Sequence, residues 1–401
     1  MNVRAVFANG AWVRLLAYAG LFAAFVHLLC FRADPTGTFD GIDWQRRRGH
    51  TDHVAHVGEA RAFGTFGLTI WKVPAEQLFR RLTPEEIAAL PPDVQAHTRI
   101  FPKDTHFVPG YAPDRPLVMN FAHVPRVYPP GVFLFGAPPA LLYHYGLISF
   151  GASNRVFLGL LALSWFALVI AWTSSWRSSP PSIVRQLLTA VIAGYSWYWT
   201  MEGFYDVGAV AFAAVGLEAA RRERFGLACL LCGLTVIVHP RLLMLAPLFG
   251  AVFWFAGRAW PRLDVPQKIA GVTGALLFAG GLAYALIIQN VVSLHALAQP
   301  LSPARPGAQP FFLIYAATLV TLVSLLLRRR SWLDAAVVTF GALAFSSQRY
   351  LAPWYWLPML PWAMAPALRE HGRLEPLSRT AAAARVLVVA LLFVASNVQR
   401  W

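Results

Sequence analysis

Apolar runs long enough to form helices recur from one end of this 401-residue chain to the other, with arginine-bearing turns between many of them. They lie near residues 11–31, 130–149, 154–173, 184–200, 206–220, 225–239, 241–257, 269–289, 310–327, 332–346, 353–368 and 383–398. A bilayer core about 30 Å thick is crossed by about 20 apolar residues of perpendicular helix. Backbone polar groups in that core must be satisfied within the protein, which leaves helices as the spanning elements here. The pattern predicts an all-α fold, a polytopic transmembrane helical bundle of about 11–12 spans. Charged residues make up only 13% of the chain, as expected where an ionised side chain costs several kcal/mol.

The net charge of +15 comes from arginine far more than from lysine, which occurs only at 72, 103 and 268. So basic a chain raises nucleic acid as a partner. The arginines fall between apolar runs rather than along one polar face, so membrane lipids are the expected partner and nucleic acid is not. Arg221, Arg222 and Arg224 mark one cytoplasmic turn; Arg258, Arg262 and Lys268 a second. Arg328 to Arg330 make a third, and Arg369, Arg373 and Arg379 a fourth. These clusters place Met201 to Asp206, His239 to Arg241, Asn290 to Gln309 and Ser346 to Tyr350 outside. A cytoplasmic start at Arg4 then leaves the parity wrong by one crossing. One segment must be re-entrant, interfacial or miscounted, and Pro138-Pro139 and the short run 206–220 are the suspects.

The whole of 1–401 is expected to form one membrane-embedded domain, with residues 32–129 as a large extracytoplasmic loop after the first span and 130–401 as the bundle. The loop holds most of the Asp and Glu, and its first half suggests short helices at His53 to Phe66 and Ala75 to Leu90. Prolines and scattered aromatics between Pro91 and Tyr128 suggest an ordered, irregular cap. Three cysteines give no disulfide framework. Cys229 and Cys232 form a C-x-x-C inside an apolar run, which points to helix packing. No Gly-rich phosphate cradle is present, so nucleotide-driven transport by this chain alone is not expected.

Chemistry concentrates at His50-Thr51-Asp52-His53-Val54-Ala55-His56-Val57-Gly58-Glu59-Ala60-Arg61. On a helix Asp52, His56 and Glu59 share one stripe, because i, i+4 and i+7 face the same way. A carboxylate there suits proton removal from an attacking hydroxyl. The alternatives are a solvated helix face, or a divalent cation (Mg or Mn) held by His50, Asp52, His53 and His56. Asp40 and Asp43 are rival bases, though both also suit turns.

The order of first span, aspartate-containing helix, Gly67, Ile70-Trp71 and then Tyr128-Pro129-Pro130 opening the second span resembles the C-type superfamily of membrane glycosyltransferases (GT-C). More narrowly it is similar to the GPI mannosyltransferases and the bacterial polyprenol-phosphate-mannose-dependent mannosyltransferases. The likeness is tightest over about 51–71 and 126–142. His50 stands where these families often carry the first acid of D-x-D. The resemblance implies a polyprenyl-phosphate sugar donor, a hexose such as mannose, and a glycan or lipid-linked acceptor. It also implies Asp52 as general base and inversion at the anomeric carbon. Residence in a bacterial inner membrane, with the active site on the extracytoplasmic side, follows from the same likeness.

The leaving lipid phosphate calls for a cation. Arg349-Tyr350, followed by Pro353-Trp354, offers an arginine fork for phosphate and aromatics for a sugar face, or else an interfacial belt. His239-Pro240-Arg241 is a second phosphate candidate, or a capped helix connection. Glu202 and Asp206 flank Gly203-Phe204-Tyr205 and suit sugar hydroxyls or a polar turn. His53, His56, Glu59, His123, Arg126 and Tyr128 complete the candidate substrate contacts. Two other classes remain open: a lipid or polysaccharide flippase, and a non-catalytic scaffold for envelope assembly. A polysaccharide polymerase is a nearer relative of the first reading.

Overall fold

The computed structural model describes residues 10–30, 60, 63, 66–67, 69, 83–90, 95, 106–107, 118–119, 131, 133–177, 182–201, 203–287, 309–328, 331–346, 356–364, 367–368, 374–375 and 379–398. These residues are helical except for short connections and two pairs of two-residue strands. His106–Phe107 (β1) pairs antiparallel with Val118–Met119 (β2), and Ala367–Leu368 (β3) with Leu374–Glu375 (β4). Among the described residues, three helical segments are long and apolar enough to cross a membrane: Ala11–Leu29, Gly151–Thr173 and Leu242–Arg262. The chain divides into two compact units, Met1–Val207 and Gly208–Trp401.

The first unit holds α1 (Ala11–Cys30), α2 (Pro84–Ala89), α3 (Phe133–His144), α4 (Phe150–Thr173) and α5 (Ile183–Met201). Helix α4 is its centre, packing on α1, α3 and α5. Tryptophans lock this contact. The indole N–H of Trp165 donates to Ala193 O at 2.9 Å and Ser196 Oγ at 3.2 Å, and that of Trp197 to Gly20 O at 3.1 Å. At the other end of the trio, Arg14 Nε donates to Thr173 Oγ1 at 3.2 Å and Nη2 donates to Thr173 O. A guanidinium thus closes the C-terminus of α4, where carbonyls lack intrahelical partners and the helix dipole favours a cation.

Buried hydroxyls bond back to the preceding turn: Thr189 to Arg185 O at 2.8 Å and Thr200 to Ser196 O at 2.8 Å. That satisfies them without a second helix. Helix α3 has 12 residues with Pro138 and Pro139 inside it. At 1.5 Å per residue it is about 18 Å long, too short to cross a core of about 30 Å. Helix α2 starts from a capping box: Glu86 N–H donates to Thr83 Oγ1 at 3.3 Å, and Thr83 N–H to Glu86 Oε2 at 2.8 Å. The expected helix from Ala75 is described only from this box onward.

The second unit begins within α6 (Asp206–Arg221) and continues with α7 (Phe225–Val238), α8 (Ala246–Ala259), α9 (Val265–Ile287), α10 (Gln309–Arg328), α11 (Trp332–Ser346), α12 (Leu360–Met364) and α13 (Arg379–Val398). Helices α7 and α9 run parallel with their backbones touching. A Cβ added at Gly226 would lie 2.1 Å from Gln267 O, one at Gly233 2.2 Å from Gly274 O, and one at Gly274 2.2 Å from Cys229 O. Glycines seven apart fall on nearly the same helix face, so Gly226 and Gly233 present one smooth strip and Gly274 and Gly281 another. Cys229 and Cys232 are free and buried on α7, the Cys232 sulfur facing Gly216 of α6.

Candidate functional site

Asp206 and His239 are the candidate residues whose side chains the structure describes; for Arg241 it describes the backbone. Asp52, His53, His56, Glu59, Arg126, Tyr128, Glu202, Arg349, Tyr350 and Trp354 lie outside the described residues, as do His50, Asp40, Asp43 and His123.

Asp206 sits just beyond the turn that ends α5. Gly203 has φ +86, in the left-handed region that glycine enters at little cost. Its N–H donates to Thr200 O at 3.0 Å, and Phe204 N–H to Trp199 O at 3.1 Å. These two bonds are a Schellman motif, with its usual apolar contact between Phe204 and Trp199, ring centroids 5.2 Å apart. Phe204 and Tyr205 are buried, and Asp206 opens α6 only 4% exposed. The polar turn expected here is therefore present, and the aspartate lies against its aromatic side rather than in open water. An acid in the first turn also meets the positive end of the helix dipole. Such a carboxylate accepts hydrogen bonds only, so the partner it suits is a donor such as a hydroxyl.

His239 caps the end of α7. Its N–H donates to Thr235 O at 3.0 Å, and its own carbonyl accepts from Leu242 N–H at 3.1 Å. A 3-10 helix, Pro240–Leu245, then leads into α8. Pro240 cannot donate to the α7 ladder, which is why the run breaks here. The imidazole is 1% exposed. The expected break is present, and it buries the histidine within the second unit.

A charged cluster in that unit escaped the sequence reading. Asp334 Oδ1 accepts from Arg385 Nη2 at 2.7 Å, from Arg385 Nε at 3.2 Å and from the Trp362 indole N–H at 2.9 Å. Arg385 Nη1 donates to Trp362 O at 2.7 Å, and the guanidinium lies 5.1 Å from the Trp362 ring centroid. Arg385 is 4% exposed and Asp334 8%. The signal was available: Asp334 is the lone acid of one apolar run and Arg385 the lone base of another. Buried charges of that kind need each other.

Among the described residues, no group of three or more His, Cys, Asp or Glu side chains is placed to hold a metal ion. The residues named for a divalent cation lie outside that set. No protein-family model, curated protein or solved structure matches the chain.

Proposed function

We propose that this chain is a polytopic membrane glycosyltransferase of the C type in a bacterial inner membrane. It moves a sugar from a polyprenyl-phosphate donor to an extracytoplasmic glycan or lipid-linked acceptor. The reading is carried by one observation: the acidic Asp52 segment lies between an apolar anchor and Tyr128-Pro129-Pro130. It is supported by helices that follow the apolar runs, among them three of membrane-crossing length and composition.

In the proposed step the Asp52 carboxylate takes the proton of the acceptor hydroxyl. That oxygen bonds to the anomeric carbon as the bond from carbon to the phosphate oxygen breaks, inverting the centre and releasing polyprenyl monophosphate. Arginine offsets the charge that grows on the leaving phosphate, with Arg349 and Arg241 as the candidates. Asp206 supplies an acceptor for sugar hydroxyls. The test is turnover of a radiolabelled polyprenyl-phosphate mannose by purified protein with extracted acceptor lipid. Asp52→Asn is expected to reduce transfer at least about 100-fold, the usual scale of general-base loss, with unfolding temperature unchanged. Full activity in Asp52→Asn rejects the assignment of the base.

A further inference from the structure

We propose that the shared end of α7 and α9 is a binding site for an anionic glycerophospholipid. The inference rests on membrane residence and is independent of glycosyl transfer. Because α7 and α9 are parallel, Gly226 meeting Gln267 and Val236 meeting Gly281, both helices start at the same end of the unit. Both therefore direct the positive ends of their dipoles there. The connection from α8 returns to this end through the 3-10 turn Trp260–Arg262.

An open groove of about 450 Å³ lies on the outer face of the pair, lined by Leu230, Val265, Pro266, Ile269, Ala270 and Thr273. Its lining is almost wholly apolar, and Val265 and Ile269 are more than 60% exposed. In a bilayer that surface faces hydrocarbon, so its occupant is an acyl chain. Cations cluster in the turns at this end of the pair. Arg221 and Arg222 are taken by Glu218, at 2.5 and 2.6 Å. Arg224, Arg258, Arg262 and Lys268 make no ion pair among the described residues. Lys268 lies in the first turn of α9, next in sequence to the groove-lining Ile269. The acids of these turns are Glu223, beside Arg224, and Asp264, whose carboxylate caps α9 by accepting from Gln267 N–H at 2.9 Å. Trp260 lies at the same level, against Gly271, with its ring partly exposed. An indole belongs at the headgroup layer. An apolar trough, cations without ion pairs at the same end and a tryptophan at that level together match a lipid with acyl chains and a phosphate.

The test uses the full chain in nanodiscs of phosphatidylcholine with and without phosphatidylglycerol, and native mass spectrometry to count retained phosphatidylglycerol. The wild type is expected to retain it after delipidation. Arg262→Gln with Lys268→Gln should weaken retention about 25-fold, about fivefold for each cation removed near an anionic headgroup. Thr273→Trp fills the groove from an exposed position and should abolish retention with every cation in place. Ile269→Trp repeats that test at a second exposed position if the first variant unfolds in phosphatidylcholine. Arg328→Gln, a cation on α10, should change nothing. The proposal is overturned if the wild type retains no phosphatidylglycerol, if both groove-filled variants retain it, or if Arg328→Gln loses as much as the double variant.

Discussion

Replacing Arg385 with methionine removes the group that ties α11, α12 and α13 together. The guanidinium makes two bonds to Asp334 Oδ1 and one to Trp362 O, all at 3.2 Å or less. In Arg385→Met the carboxylate stays buried with the Trp362 indole N–H as its remaining donor among the described residues. Breaking a buried pair from one side costs about 3–5 kcal/mol, because the remaining charge is left without its partner. For a unit of this size that lowers Tm by on the order of 10 °C. Asp334→Leu should cost a similar amount by stranding the arginine. The double variant Asp334→Leu/Arg385→Met leaves no charge to compensate and should cost no more than either single variant, a coupling of at least about 3 kcal/mol. Thermal unfolding of detergent-purified protein, followed by intrinsic fluorescence and by aggregation onset, measures all four forms. If the two single losses add in the double variant to within about 0.5 kcal/mol, the pair is not coupled and the reasoning fails.

Glu223 stands at φ 59, in the left-handed position that closes α6, where its N–H donates to Ala220 O and Arg224 N–H to Ala219 O. Glu223→Gly should raise stability by about 1 kcal/mol, read as a Tm increase of a few degrees, since a side chain is strained there. Gly274→Ala places a methyl against Cys229 O and should cost about 1–3 kcal/mol. Gly250→Ala meets nothing within 4 Å and should instead add about 0.5–1 kcal/mol of helix propensity; equal Tm shifts of one sign would refute the contrast. The Glu85 carboxyl is held below its ordinary value by a bond to its own backbone N–H and then by Thr83. Its stabilising effect is present above the unfolded value and is lost as pH falls through the lower folded one. Its carboxyl carbon should therefore titrate at lower pH than a peptide glutamate by NMR, and Thr83→Ala should move the midpoint up.

The helices were legible because apolar runs and breakers speak locally. The run at 332–346 is α11 residue for residue, and His239-Pro240 parts α7 from the 3-10 turn before α8. What eluded the sequence depends on a second segment. A search for a repeat along the chain passes over Gly226 and Gly233, since two glycines seven apart gain meaning only when Gly274 arrives from α9. Arg14 looks like a basic flank of the first run until Thr173 offers it a helix end. The helix expected over Ala75 to Leu90 is described as α2, whose complete local start signal, Thr83-Pro84-Glu85-Glu86, puts Pro84 nine residues after Ala75. Of the candidate site, the turn at 203–206 and the break at 239–241 were readable from Gly203 and Pro240. That both bury their ionisable side chain was not, because burial is decided by neighbours far along the chain.

The placement of charge on the described helices bears on the flippase alternative. A translocation path for an anionic headgroup needs cations facing water midway along helices. Here Arg14 closes the C-terminus of α4, and Arg221, Arg258 and Arg328 sit in last turns. Asp206 and Asp334 occupy first turns, where the dipole favours an acid. Arg155 and Arg185 oppose the dipole, and both lie within two turns of a helix start. Arg385 is closed by Asp334. Ionisable groups on these described helices thus lie near helix ends or in one internal pair. The protein reconstituted in vesicles should leave the transbilayer rate of a fluorescent polyprenyl phosphate at the protein-free value. Accelerated flipping abolished by neutralising Arg155 or Arg185 would place a charged path where the helix ends argue against one.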